Sequence, residues 1–149
     1  MKAFKKLMAA ALVCVMALTV LTGCSAADKK SAKNMVEALN DYAKEVKASF
    51  TYERTDAMNS LAESAMKNAQ KDKKIESAKL EGNYSIYTKK LTDTWNSASD
   101  LKSAAKAAHE QFVKAGVVTE KDKATVGICV DKVEKDNYII VVVKTKAAK

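Results

Sequence analysis

Two β-branched runs near the C-terminal end of this 149-residue chain constrain its fold more than any other feature. Residues 125–130 read Thr-Val-Gly-Ile-Cys-Val, and residues 138–143 read Tyr-Ile-Ile-Val-Val-Val. Such runs favour strands, and the charged residues between them predict a turn near residues 134–137, so we predict an antiparallel β-hairpin. The second run is apolar at every position and needs cover on both faces. A lone hairpin is marginally stable in water, so this one must pack against the rest of the chain.

Two amphipathic helices are predicted in the first half of the chain. Apolar residues at helical spacing indicate a first helix over residues 31–49, with Ser31 as its cap. A second helix begins near residue 55 and ends at the solvated run 71–74. Residues 51–53 leave room for only a tight connection, which favours an antiparallel pair of helices or one continuous bent helix.

A third amphipathic helix is predicted from an apolar stripe over residues 91–112, and Gly116 is placed to terminate it. Its start has two possible positions in the sequence. The helix begins near Ser97 with Ser99 as its cap, or it runs unbroken from about residue 89.

The segment before this third helix is the least regular part of the chain. Residues 80–83 read as a turn, and residues 84–88 are compatible with a third short strand. Trp95 lies on the stripe of the third helix, where we expect it in the core rather than in a ligand platform. The predicted fold class is α+β, with three helices packed on the hairpin in one domain over residues 31–149.

The first 21 residues have the composition of an export signal. Lys2, Lys5 and Lys6 form a basic start, and residues 7–21 are apolar apart from Thr19. That length suits the hydrophobic region of a signal peptide and is short for a membrane-spanning helix. An ordinary secretory signal or an uncleaved N-terminal anchor would have a similar composition.

The sequence Leu21-Thr22-Gly23-Cys24 follows at once and resembles the lipobox of bacterial lipoproteins. In that family a peptidase cuts before the cysteine, which carries a thioether-linked diacylglyceryl group. The resemblance implies a signal peptide over residues 1–23, S-diacylglycerol on Cys24, a lipidated tether over residues 24–30, and a location on the extracytoplasmic face of the cell membrane. Ser25 differs from the Asp that marks retention in cells with two membranes.

Cysteine and histidine usage restricts the possible chemistry. Cys14 lies in the segment to be removed and Cys24 would be acylated, so Cys129 is left as a single thiol that cannot form a disulfide within the chain. We expect Cys129 to be a buried residue of a strand. His109 is the one histidine, so a site with two histidine ligands is impossible. We expect it on a helix surface beside Glu110, although a Cys129–His109 dyad remains formally possible.

The net charge and the sequence motifs restrict the kinds of partner and site that we expect. The chain has a net charge of +8, almost all of its basic residues are lysine, and Arg54 is its one arginine. Lysine suits an anionic membrane or a cell-wall polymer better than base recognition, so we expect no nucleic-acid partner. The sequence contains no glycine-rich phosphate loop, no Gly-x-Ser-x-Gly and no His-Glu-x-x-His, and we expect no cofactor, no metal and no catalytic residue.

The C-terminal strands also resemble the ending of the CAP superfamily of exported proteins, in which a terminal strand pair often reads Val-Gly-Ile-Gly-Val. Residues 125–130 and 138–142 carry this likeness, and Trp95-Asn96-Ser97 is loosely similar to the helix that precedes it. The resemblance implies helices ahead of a strand pair. That family's cavity uses two histidines with acidic partners, whereas this chain has His109 alone, so no site residue is carried across.

These observations predict a membrane-anchored surface lipoprotein that serves as a non-enzymatic binding or structural module of the cell envelope. Its partners would be the membrane, through Cys24, and an envelope protein or cell-wall polymer. Two alternatives stay open. One is a degenerate CAP-like or unrecognised envelope enzyme that uses His109 or Cys129, and the other is a lipid-anchored regulator of a membrane protein.

Overall fold

The computed structural model describes residues 26–75, 78–92 and 97–146, and within them the fold is α+β, as predicted. Three helices accompany one mixed sheet. The elements in chain order are α1 (Ala26–Glu45), β1 (Thr51–Arg54), α2 (Asp56–Asp72), β2 (Ala78–Glu81), β3 (Tyr84–Lys90), α3 (Ala98–Ala115), β4 (Thr119–Glu120), β5 (Lys123–Val133) and β6 (Asp136–Lys144). No helix in the described ranges is long and apolar enough to cross a membrane.

The sheet is built around the predicted hairpin. Its strand order is β1-β5-β6-β3-β2, and the short β4 pairs with the start of β5. β5 and β6 pair antiparallel and their turn is only Glu134 and Lys135, because Val133 and Asp136 already pair. The possible strand near 84–88 is confirmed as β3, which pairs with β6. The turn predicted over residues 80–83 is confined to Gly82 and Asn83, because Leu80 and Glu81 belong to β2, which pairs with β3.

Helices cover both faces of the hairpin, as the apolar second run requires. Alternate side chains of β5 and β6, such as Ile128 and Val141, join the core beneath α1 and α3. The intervening side chains, such as Cys129 and Ile140, join a second core beneath α2. The molecule therefore has three layers, with the sheet in the middle.

The predicted antiparallel pair of α1 and α2 is wrong, and so is the continuous bent helix. Residues 51–54 form β1, which pairs in parallel with β5. This strand carries the chain from one face of the sheet to the other, so α1 packs against α3 while α2 packs against β5. The local sequence gives no sign of this, because the partner of β1 lies about seventy residues away in the chain.

Helix α1 begins earlier than predicted. It starts at Ala26, so residues 26–30, which we assigned to a tether, are helical, and Ser31 is a buried residue inside the helix rather than its cap. Lipidation of Cys24 stays a prediction, because residues 1–25 lie outside the described residues.

Helix α3 begins at Ala98, and its cap is Ser97, whose hydroxyl accepts a hydrogen bond from the backbone N–H of Asp100. Ser99 is therefore inside the helix and is not the cap. An unbroken helix from residue 89 is also wrong, because β3 extends to Lys90. Gly116 ends the helix in a left-handed conformation, as predicted. Trp95 and Asn96 lie outside the described residues.

Helix α2 approaches the sheet very closely at its N-terminal end. Thr55 caps the helix by accepting a hydrogen bond from the backbone N–H of Met58. Directly below, a Cβ atom on Gly127 would overlap the backbone of Met58 and Asn59. Only glycine allows this contact between a helix and a strand.

Candidate functional site

A groove between α1 and α3 is a concave feature on the surface of the described part of the chain. It encloses about 400 Å³, within the roughly 300–1,000 Å³ of small-molecule sites. α3 contributes its first turn, through Ala98, Leu101 and Lys102. α1 contributes six residues along more than three turns: Asn34, Glu37, Ala38, Asp41, Tyr42 and Glu45.

The spacing of residues along α1 explains why one lip of the groove is acidic. Glu37, Asp41 and Glu45 are four residues apart, so they lie on one side of the helix. The buried residues Met35 and Leu39 hold the opposite side against the sheet. The line of carboxylates is thus fixed in place by the packing of the same helix.

Two of the three carboxylates have a lysine partner. Lys102 Nζ lies 3.0 Å from a carboxylate oxygen of Glu45, and this ion pair joins α3 to α1 across the groove. Lys33 Nζ lies 4.0 Å from Glu37, within α1. All four side chains are more than half exposed, and such pairs contribute about 1 kcal/mol or less. No ion pair joins Asp41 to another described residue.

Tyr42 connects the groove to a buried aromatic cluster. Its ring lines the groove and meets the ring of His109 edge-on, with centroids 5.5 Å apart. Phe50 stacks on His109 from another direction at 5.8 Å, and Tyr52 meets it edge-on at 5.9 Å. The aromatic rings therefore enclose the histidine.

The expected surface position of His109 is wrong. Its side chain is buried, with the residue only 6% exposed, although its sequence position is one residue off the apolar stripe. The reason is a polar partner inside the core. Nδ1 of His109 forms a 2.8 Å hydrogen bond with the hydroxyl of Tyr52, so the imidazole is not buried without compensation.

The backbone of Tyr52 is held by α1. Nδ2 of Asn40 donates a hydrogen bond to the Tyr52 carbonyl at 3.0 Å, and Oδ1 of Asn40 accepts one from the Tyr52 N–H at 2.7 Å. This side-chain amide pairs with β1 as a neighbouring strand would. It fixes the tyrosine whose hydroxyl reaches His109.

Burial keeps both members of the buried pair neutral. It lowers the pKa of His109 below its ordinary value, and the nearby Glu110 carboxylate opposes the shift only in part. Burial also raises the pKa of Tyr52, which retains its proton. The pair therefore combines a neutral imidazole with a neutral phenol and has no net charge to offer a ligand.

Cys129 is a buried residue of β5, as expected, and is 3% exposed. It lies in the core beneath α2, whereas His109 contacts residues of the core beneath α1 and α3. The sheet separates the two side chains, so the formally possible Cys129–His109 dyad does not form. The described residues contain no group of three His, Cys, Asp or Glu side chains suited to holding a metal ion.

The groove itself was not predicted from the sequence. The four-residue spacing of Glu37, Asp41 and Glu45 was readable from the sequence, but nothing in it showed that α3 would lie alongside. Tyr52 and Asn40 were missed for another reason, since their roles depend on β1. Cys24, the one site residue that we predicted, lies outside the described residues.

Comparison of this chain with models of known families, with curated proteins and with solved structures finds no match.

Proposed function

We propose that this protein is a lipid-anchored, extracytoplasmic binding module of the cell envelope, and that its ligand occupies the groove between α1 and α3. The observation that carries the binding proposal is the groove, which combines an acidic lip with an apolar floor. The lipobox-like residues ending in Cys24 support the anchor. The proposed function is binding without catalysis.

The lining of the groove favours a small ligand with a protonated amine and an apolar part. Glu37 and Asp41 supply negative charge at the lip, and Lys102 is already engaged by Glu45. Tyr42 and Leu101 supply apolar surface below them, and the Tyr42 ring face also attracts cations. An anionic ligand would be repelled by Asp41, whose carboxylate forms no ion pair with another described residue, and Lys33 and Lys102 already face Glu37 and Glu45.

The burial of His109, the candidate base, and of Cys129, the candidate nucleophile, supports a non-enzymatic role. Tyr42 and Phe50 cover His109, and its Nδ1 is occupied by the Tyr52 hydroxyl. Cys129 is enclosed beneath α2. A substrate would have to displace core side chains to reach either residue.

The anchor is tested by the intact mass of the protein extracted from membranes. We expect a chain that begins at residue 24 and carries a diacylglyceryl group, and a Cys24→Ala variant that lacks the added mass and retains residues 1–23. A wild-type chain with residues 1–23 attached and no lipid mass would overturn the anchor.

The groove is tested with tryptamine, which carries an amine on an indole, and with indole-3-acetate, which carries a carboxylate on the same ring. NMR titration of the mature lipoprotein in micelles should show tryptamine shifting resonances of Tyr42 and Leu101, while indole-3-acetate shifts neither. A Glu37→Gln/Asp41→Asn variant should weaken tryptamine binding about tenfold, a change of about 1.4 kcal/mol.

A matched variant controls for the loss of two negative charges. Glu110→Gln/Glu120→Gln removes the same charge from exposed positions outside the groove and should leave tryptamine affinity unchanged. Equal weakening by both variants, or shifts spread over the whole surface, would contradict a ligand site in the groove.

A further inference from the structure

The carboxylates on the acidic lip of the groove form a line along the helix rather than a compact cluster. Glu37, Asp41 and Glu45 are each four residues apart on α1, and all three line the groove. We call them the carboxylate row. Because a helix rises about 1.5 Å per residue, neighbouring members of the row are about 6 Å apart along its axis.

This arrangement suits a ligand with more than one positive charge. A metal ion draws its ligands to one point, and no group of three His, Cys, Asp or Glu side chains in the described ranges is suited to holding one. A ligand that is to meet two members of the carboxylate row must instead carry two positive charges about 6 Å apart.

The middle of the carboxylate row has the least compensated charge. No described residue forms an ion pair with Asp41. Lys33 Nζ lies 4.0 Å from Glu37, and both of these side chains are more than half exposed. Exposed ion pairs of this kind are weak, so a ligand ammonium can bind Asp41 directly and replace Lys33 at Glu37.

Apolar side chains lie beside the carboxylate row, inside the groove. Ala38 and Tyr42 come from α1, and Leu101 comes from α3. All three are partly buried and pack against the core beneath the two helices. Methylene groups that lie on this surface leave water, while charges at their ends stay at the lip. The groove therefore suits an alkyl chain that ends in ammonium groups.

Lys102 provides an example of such a group within the protein itself. Its side chain is a four-carbon chain that ends in an ammonium, and it reaches Glu45 from α3 with an Nζ–oxygen distance of 3.0 Å. A ligand with the same kind of chain would repeat this contact at the members of the row that Lys102 does not pair with.

We propose that the ligand of the groove is a linear aliphatic diamine with four carbons between its ammonium groups, and that it bridges Glu37 and Asp41. The inference rests on the proposed function and specifies the ligand of the same site. An extended chain advances about 1.2 Å per bond, so the bonds between the two nitrogens span about 6 Å, which matches the spacing of the carboxylate row. The methylene groups between them lie on Ala38.

The ligand class is tested with 1,4-diaminobutane and 1-aminobutane, which share a carbon chain but carry two ammonium groups and one. NMR titration of the mature lipoprotein in zwitterionic micelles gives both dissociation constants from the resonances of Ala38, Tyr42 and Leu101. We expect the diamine to bind about fivefold more tightly at low salt, which is the upper range for one additional exposed ion pair. This preference should decrease as salt is added.

Single-charge variants separate bridging from general attraction of a dication. Glu37→Gln and Asp41→Asn should each reduce the preference for the diamine to about twofold or less, because one of the two bridged carboxylates is gone. Both side chains are exposed, so the fold should be retained. Glu120→Gln removes one exposed charge outside the groove and should leave the preference unchanged.

The outcomes distinguish this inference from the proposed function. Equal affinities of the two amines for the wild-type protein, with tryptamine still bound, would overturn the diamine and leave the groove as a site for a single amine. An undiminished preference in Asp41→Asn would overturn the bridge. A groove that bound neither tryptamine nor either amine would overturn the proposed function and this inference together.

Discussion

The two faces of the sheet are covered in different ways. A single helix, α2, lies on one face and packs through small and flexible apolar side chains such as Ala62 and Met66. Two helices, α1 and α3, share the other face and enclose a polar hydrogen bond among aromatic rings. One helix can press directly onto the strands. Two helices must also meet each other, and between them they leave the groove.

The α2 face is held by a backbone contact and a polar bridge. Gly127 lets the first turn of α2 touch β5. Oδ1 of Asn59 accepts hydrogen bonds from Arg54 Nε at 2.8 Å and from the Ile128 N–H at 3.1 Å. A guanidinium nitrogen of Arg54 also donates to the Ile128 carbonyl at 3.3 Å. The sole arginine of the chain thus ties α2 and β1 to β5.

The α1 and α3 face depends instead on side chains that meet far from the backbone of the sheet. Phe112 is fully buried and contacts Tyr52, which in turn contacts His109. The groove opens beside this cluster. The comparison indicates that the α2 face mainly provides stability, whereas the other face combines stability with the candidate site.

The largest expected effect tests the backbone contact on the α2 face. Gly127→Ala should lower the free energy of unfolding by about 3 kcal/mol or more, because the new Cβ overlaps the backbone of Met58, which must move together with its helix. Urea denaturation measures the loss. Gly82→Ala is the matched control, since a Cβ there meets no atom and the cost is that of a positive φ, about 1–2 kcal/mol. Equal losses of stability in the two variants would mean that α2 does not contact β5 at Gly127 as described.

A smaller loss of stability is expected when the asparagine that supports each face is replaced. Asn59→Ala should cost about 2 kcal/mol, because it leaves the Ile128 N–H and the Arg54 guanidinium without their acceptor. Asn40→Ala should cost about 1 kcal/mol, because β1 is an edge strand where water can replace the amide. Asn59→Asp keeps an acceptor in place and should lose less than Asn59→Ala. The reverse order of the two alanine variants would contradict the difference between the faces.

The smallest expected effect is on the pH dependence of stability, through His109. Burial lowers the pKa of His109 below 6.5, so the unfolded chain binds the proton more readily than the folded chain. Stability should therefore decrease as the pH falls from 7 through 6.5 toward that lowered pKa. His109→Asn retains an acceptor near the Nδ1 position and should show a shallower decrease over the same range. Identical pH profiles of unfolding for the two proteins would show that His109 is not buried as a neutral ring.

Much of the architecture was predictable because its signals are local. The β-branched runs predicted β5 and β6, and the apolar character of the second run predicted that both faces of β6 would be covered. Helix ends were predictable where a residue has a particular backbone role, as at Gly116. The start of α1 was missed because the helix continues into residues that also suit a tether.

The remaining features depend on contacts between distant parts of the chain. β1 has only four residues, and Tyr52 is its one buried side chain, so no periodic pattern marks it. It becomes a strand because β5 pairs with it, and that pairing decides on which face α2 packs. His109 is buried because Tyr52 supplies a hydrogen bond, which could not be foreseen without β1. One unrecognised strand thus accounts for the errors in helix pairing and in the candidate site.

The carboxamide of Asn40 has a consequence for self-association. An open strand edge is a template on which a second chain can add a strand, and crowded chains with such edges polymerise. On β1 that edge is already taken at Tyr52, where both backbone groups are bound to one side chain. A neighbouring chain would have to break two hydrogen bonds before forming its own. A single polar residue thereby keeps this border of the sheet from growing, even where many copies share a small area.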